Sequence, residues 1–169
     1  MAPKDLLLGS FNAALAAADP LAIVPAHLPR PPKGRTLVVG AGKASAAMAA
    51  AVERSWPAAS PLEGIVITRY GHGMPCKRIR IVEAGHPVPD ESGERAAREI
   101  LSAASALGPD DLLLVLVSGG GSSLLSAPVD GVSMAELKSM TRDLLACGAA
   151  IKEMNTVRKH LSVIQGGRL

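Results

Sequence analysis

Apolar and polar positions along this chain follow two rhythms, and the switches between them mark the elements. Leu7, Phe11 and Leu15 recur at helical spacing in the first segment, predicting an amphipathic helix from about Lys4 to Ala17. Asp5 offsets Lys4, while Ser10 and Asn12 interrupt the apolar run, so a helix is preferred to a secretory signal. Asp19-Pro20 then supplies an N-cap and first-turn pair for a short second helix. PRPPKG, Pro29 to Gly34, is a stiff break.

After the break, short continuous apolar runs alternate with helical patterns. TLVVG reads as a buried parallel strand, and Lys43 to Arg54 as an alanine-rich, closely packed helix. A loop framed by Pro57 and Pro61 leads to a second strand, Gly64 to Arg69. Arg78 to Ala84 alternates polar and apolar residues, which suits a strand half exposed or at an edge. Asp90 is placed to cap a helix from Glu91 to Leu107, with i,i+4 pairs Glu91–Arg95 and Glu94–Arg98 and an apolar stripe of Ala97, Ile100, Leu101 and Ala104. Leu112 to Ser118 is the most apolar run, expected at the centre of the sheet.

Ser133-Met-Ala-Glu136 is a capping box, opening a helix with Leu137, Met140, Leu144 and Leu145 inward. A last helix is expected from about Glu153 to Ile164. Met154, Val157, Leu161 and Ile164 form its apolar stripe, and Asn155, Arg158, Lys159 and Ser162 its polar one. This alternation predicts an α/β fold, a Rossmann-like three-layer sandwich with a mainly parallel sheet and helices on both faces.

Composition narrows the chemistry. The chain has 169 residues, enough for one domain with a core; at 48% hydrophobic and 20% charged it is globular rather than disordered. A net charge of +3 is compatible with anionic ligands. One Trp, one Tyr and one Phe make no base-stacking platform, so nucleic acid is not expected. Cys76 and Cys147 form neither a disulfide framework nor a zinc site, which fits a reducing cytoplasm. No run approaches the ~18 apolar residues needed to span a membrane.

Two glycine loops follow strands. In Gly40-Ala-Gly42-Lys43-Ala-Ser45, Ser45 stands where a dinucleotide fingerprint has its third glycine, and Leu37 and Ala44 break the ATP phosphate-loop pattern. Arg69, at the end of the second strand, leaves NADP open. Lys43 near a helix N-terminus either meets an anion there or extends into solvent. Ser118-Gly119-Gly120-Gly121-Ser122-Ser123 is the stronger candidate, since three glycines let backbone N–H groups converge on an anion. Leu124 breaks the nucleophile-elbow pattern. The Asn155, Arg158 and Lys159 stripe is either a solvated face or a carboxylate or phosphate site. His72 and His86 read as loop histidines, Asp90 as a cap, and no carboxylate cluster suggests a metal.

VVGAGKASAAM, VITRYGHG, VEAGHPVPDESG, LVSGGGSSLL, CGAAIKEMN and NTVRKHLSVIQGGRL occur in the order found in the N-terminal half of one family. Together they resemble the glycerate 2-kinases of the MOFRL type, also labelled hydroxypyruvate reductases. The resemblance implies transfer of the γ-phosphoryl group of ATP, with Mg²⁺, to the 2-hydroxyl of D-glycerate between two α/β domains. It places the family's key lysine on Lys43 and its phosphate loop on Ser118 to Ser123; Gly40 and Gly42 of the first glycine loop are candidate phosphate-binding residues beside that lysine. It places the substrate segment on Asn155, Arg158, Lys159 and His160. Gln165 stands where members usually have lysine. Residues 1–169 are then an incomplete N-terminal domain, without the C-terminal MOFRL domain. The fragment is expected to fold at least partly, to have little kinase activity alone, and to leave a homodimer open.

Overall fold

In the computed structural model, which describes residues 2–169, the chain forms one parallel sheet covered on both faces. The strands are β1 (Thr36–Ala41), β2 (Leu62–Arg69), β3 (Ile79–Ala84) and β4 (Leu112–Val117), in the order β3-β2-β1-β4. The helices are α1 (Pro3–Ala17), α2 (Pro20–Ile23), α3 (Ser45–Ser55), α4 (Glu91–Ser105), α5 (Gly121–Leu124), α6 (Met134–Ala146) and α7 (Ile151–His160). The expected Rossmann-like architecture is the observed one.

Side-chain alternation along the strands builds two cores. Val38 and Val66 point to one face, where Ala49, Val52 and Trp56 of the α3 segment cover them. Val39 and Ile67 point to the other, against Ala97 and Ile100 of α4. The alanines of α3 let that helix approach closely: Ala46, Ala49, Ala50 and Ala51 are all buried. β3 is an edge strand, as its alternation indicated. Asp90 caps α4 by accepting from the Gly93 N–H at 3.0 Å, and the Ser133–Glu136 capping box opens α6.

Several expectations need correction. β1 lies inside the sheet and every residue of it is buried, whereas β4 is the other edge. Its apolar run reads as a central strand because both of its faces are apolar, yet Val115 and Val117 are 42% and 65% exposed. α3 starts at Ser45, two residues after Lys43, because Gly42 and Lys43 are used in the turn. α7 stops at His160, so Ser162 leaves the polar stripe. The chain beyond it joins an isolated bridge, Pro128 to Ser162, and the Val163 N–H donates to the Ala127 carbonyl.

Two side-chain expectations also change. Glu91 pairs with Lys138 of α6 instead of Arg95, while Glu94–Arg98 forms as expected. Leu145 is exposed and Met134 and Thr141 complete the buried face of α6. α1 forms where predicted, but none of its residues is buried. No single helix among the described residues is long and apolar enough to cross a membrane, although α1 and Pro20–His27 pass on length and composition as a pair bent by 46°.

Candidate phosphate site at the switch point of the sheet

The chain runs outward from β1 through β2 to β3, then crosses back to place β4 on the far side of β1. The two connections leaving β1 and β4 therefore diverge, and in open α/β sheets ligands bind at this reversal, beyond the carboxyl ends of the strands. Both glycine loops lie there.

The two loops hold each other. A Cβ at Gly40 would lie 2.1 Å from the Leu116 carbonyl oxygen, so the residue lets β1 and β4 approach. Gly42 has φ +146°, and a Cβ there would lie 2.1 Å from Ser118 Oγ. The Lys43 N–H donates to the Gly119 carbonyl at 2.9 Å, and the Ala44 N–H to Ser118 Oγ at 3.0 Å. Ser45 Oγ–H donates to the Leu116 carbonyl and lies 3.3 Å from Ser118 Oγ. The Gly42 N–H donates to the Ile67 carbonyl.

These bonds divide the predicted site residues into two groups. The amides of Gly42, Lys43 and Ala44 are satisfied internally, and Ser118 serves as a tie between the loops. The first loop therefore contributes the Lys43 side chain, which is exposed. In the second loop Gly121 N–H donates to the Ser118 carbonyl, while Ser123 is buried with its hydroxyl on the Gly120 carbonyl. Among the described residues none accepts from the backbone N–H of Gly119, Gly120 or Ser122. Gly120 sits at φ +90°, in the left-handed region that turns successive N–H groups toward a common point.

Lys43 borders these amides. Its Cε lies 3.7 Å from where a Cβ of Gly119 would be, and its Cγ 3.5 Å from that of Gly120. α7 closes the other side of the site. Asn155 and Arg158 line a cleft of about 390 Å³ with Gly120, Ser122, Ser123 and His86. Burial pulls the Arg158 guanidinium below its ordinary value. Lys159 lines an adjoining cleft of about 370 Å³ with Asn155, Ser122, Val115 and Val117. His160 instead turns its Nδ1 to the Thr156 carbonyl of its own helix. Gln165 donates through Nε2 to the Ser122 and Leu125 carbonyls at 2.6 and 2.7 Å, pinning the far end of the loop.

His86 is the residue that sequence reasoning left aside. It lies two residues beyond β3, and its position after a strand's carboxyl end was the one available signal.

Relatives carry similar sequences. A putative hydroxypyruvate reductase of Agrobacterium vitis is 55% identical over 98% of this chain and 38% of its own length. A D-glycerate 2-kinase of Thermotoga maritima is 41% identical over 98% of this chain and 40% of its own. A crystal structure of a glycerate kinase from Thermotoga maritima superposes with a TM-score of 0.82 at 39% identity, covering 98% of this chain and 40% of that one. A crystal structure of a Pyrococcus horikoshii protein whose name states no activity superposes with a TM-score of 0.83 at 37% identity, covering 99% of this chain and 41% of that one. The chain thus spans about two fifths of the length of the relatives it matches. The sequence pattern described as a domain of unknown function, DUF4147, matches residues 6–169, and the chain belongs to that family.

Proposed function

We propose that this chain forms the phosphate-holding part of an ATP-dependent D-glycerate 2-kinase. One observation carries the proposal: the backbone N–H groups of Gly119, Gly120 and Ser122 are unpaired among the described residues, and the Lys43 side chain borders the first two at the reversal point of the sheet. Phosphoryl transfer asks mainly for positioning and for neutralisation of oxygen charge. The loop amides hold phosphate oxygens, Lys43 offsets charge on the transferred group, and Ser122 adds a hydroxyl. Arg158 and Asn155, across the same cleft, suit the carboxylate of a small hydroxy acid, with Lys159 at its margin. The relatives named glycerate kinase support the substrate class.

The described residues bring together no cluster of acids that would by itself cage the Mg²⁺ the resemblance implies. Among the described residues no group of three His, Cys, Asp or Glu side chains could hold a metal. Asp90, in the connection after β3 that also carries His86, already accepts from Tyr70 Oη–H and the Gly93 N–H. No step in this proposal passes through the metal. More than half of the relatives' length lies outside the matched region, so the isolated chain is expected to bind without appreciable turnover.

Calorimetry on the purified chain tests the proposal. ATP is expected to bind, and Lys43→Ala to weaken it by about tenfold, as for loss of one charge contact. NADPH bound more tightly than ATP would instead favour a reductase. ATP affinity unchanged by Lys43→Ala would remove Lys43 from the site.

A further inference from the structure

His86 has no role in the site so far, yet the loop is built around it. A Cβ at Gly120 would fall 2.7 Å from His86 Nε2 and 2.8 Å from Cδ2, so the ring occupies the space that the missing side chain leaves. The same Cβ would be 3.5 Å from Lys43 Cγ. The imidazole and the lysine thus both border Gly120, whose N–H is one of the three unpaired donors. His86 also lines the cleft that holds Arg158, Asn155 and Ser122.

The charged groups facing the ring are cations from three elements. Lys43 comes from the turn after β1, Arg69 from the end of β2 and Arg158 from α7. The glycine loop itself brings no titratable group, and Asp90, on His86's own loop, is committed to Tyr70 and Gly93. A neutral ring with an unprotonated nitrogen is what this setting favours while the cleft holds no anion. Burial first, then the three cations, push the His86 imidazole below its ordinary value. An anion seated among the same cations reverses the local field and favours a second ring proton.

We propose that His86 is a third side-chain ligand of the bound phosphate, donating through Nε2, and that binding an anion at the glycine loop takes up a proton on this ring. This rests on the phosphate-site reading above and extends it by one residue and one proton. By linkage, whatever factor the anion adds to proton affinity, the proton adds to anion affinity. The site then holds phosphate more tightly as pH falls, through a group of its own as well as through the ligand's titration.

Sulfate separates these two sources, because it is a tetrahedral dianion that does not titrate near neutrality. Imidazole signals of the labelled chain would be followed by NMR against pH, with and without saturating sulfate, and His86 identified by loss of its signal in His86→Gln. The His86 midpoint is expected to rise by about half a unit or more with sulfate, while those of His27, His72 and His160 stay in place. In parallel, wild-type affinity for sulfate is expected to be about twofold or more tighter at pH 5.5 than at pH 8, and flat in His86→Gln. If the Gly119–Ser122 amide signals move with sulfate while the His86 midpoint does not, the anion binds without His86 and the inference is wrong. If neither sulfate nor ATP moves those amides, the phosphate-site reading itself fails and takes the inference with it. Should His86→Gln not fold, the wild-type midpoints decide alone, with the histidine signals assigned by through-bond correlation.

Discussion

At the residue scale the site depends on what is missing from Gly40, Gly42 and Gly120. Each lacks a side chain because another group already fills that space: the Leu116 carbonyl, Ser118, and the His86 ring. Gly40→Ala tests the one of these contacts whose nearest atom is backbone. Its Cβ would meet backbone, which cannot rotate away as a flexible side chain could. The variant is expected to lose about 1–3 kcal/mol or more, the usual cost of overpacking a closed interior. Urea denaturation followed by circular dichroism would show it as a lower midpoint at unchanged slope. A midpoint within error of wild type would mean that β1 and β4 separate easily. The sequence showed that these glycines and Lys43 were unusual, since three consecutive glycines after a strand cost entropy that a plain turn does not require. It did not show which amides remain free. That depends on Ser118 and Gly119 meeting Lys43 and Ala44 across more than seventy residues of chain, a pairing that local spacing does not encode.

At the element scale, helices were legible where caps and stripes agreed, as at Asp90 for α4 and Ser133 with Glu136 for α6. α7 was read too long because Leu161 and Ile164 continue its apolar stripe although the backbone has already turned away. The join between α3 and β3 was not legible at all, because it depends on a single carboxylate. Glu53, near the end of α3, accepts from the N–H groups of Lys77, Arg78 and Ile79 at 2.6, 2.8 and 3.1 Å. It thereby fixes the entry to β3. Burial opposes ionisation of Glu53, but these three N–H bonds, with Arg78, outweigh it and hold the carboxyl below its ordinary value. The folded state therefore binds this proton less readily than the unfolded state. The stabilisation is fully present above the ordinary glutamate range, near pH 4.5, and is lost as pH falls below it. Glu53→Gln is expected to cost about 1–2 kcal/mol at neutral pH, in line with charge-assisted hydrogen bonds in a half-exposed setting. It should also flatten the acid limb of the stability profile. Equal acid sensitivity in both proteins would show that Glu53 is not part of that limb.

At the scale of the whole molecule, the misreading of β4 is informative. Leu112–Val117 is six apolar residues without a charge or a proline, the composition of a strand covered on both sides. Here, among the described residues, its outer edge has no neighbouring strand, and Val115 and Val117 are open toward the cleft beside the second glycine loop. The sequence reported the environment that this strand is suited to. The relatives have more than twice the length with which to supply it, whereas these 169 residues do not. An edge that is apolar, uncharged and unblocked pairs readily with another copy of itself. The isolated chain is therefore expected to self-associate with rising concentration. Val117→Lys, which puts a charge on the exposed face of that edge, should reduce the associated fraction severalfold without lowering thermal stability, since Val117 is 65% exposed and little packing is lost. Sedimentation velocity across a hundredfold range of concentration distinguishes the outcomes. Association that persists unchanged in Val117→Lys would move the contact elsewhere, and the natural second candidate is α1, whose Leu7 and Phe11 are 71% and 60% exposed.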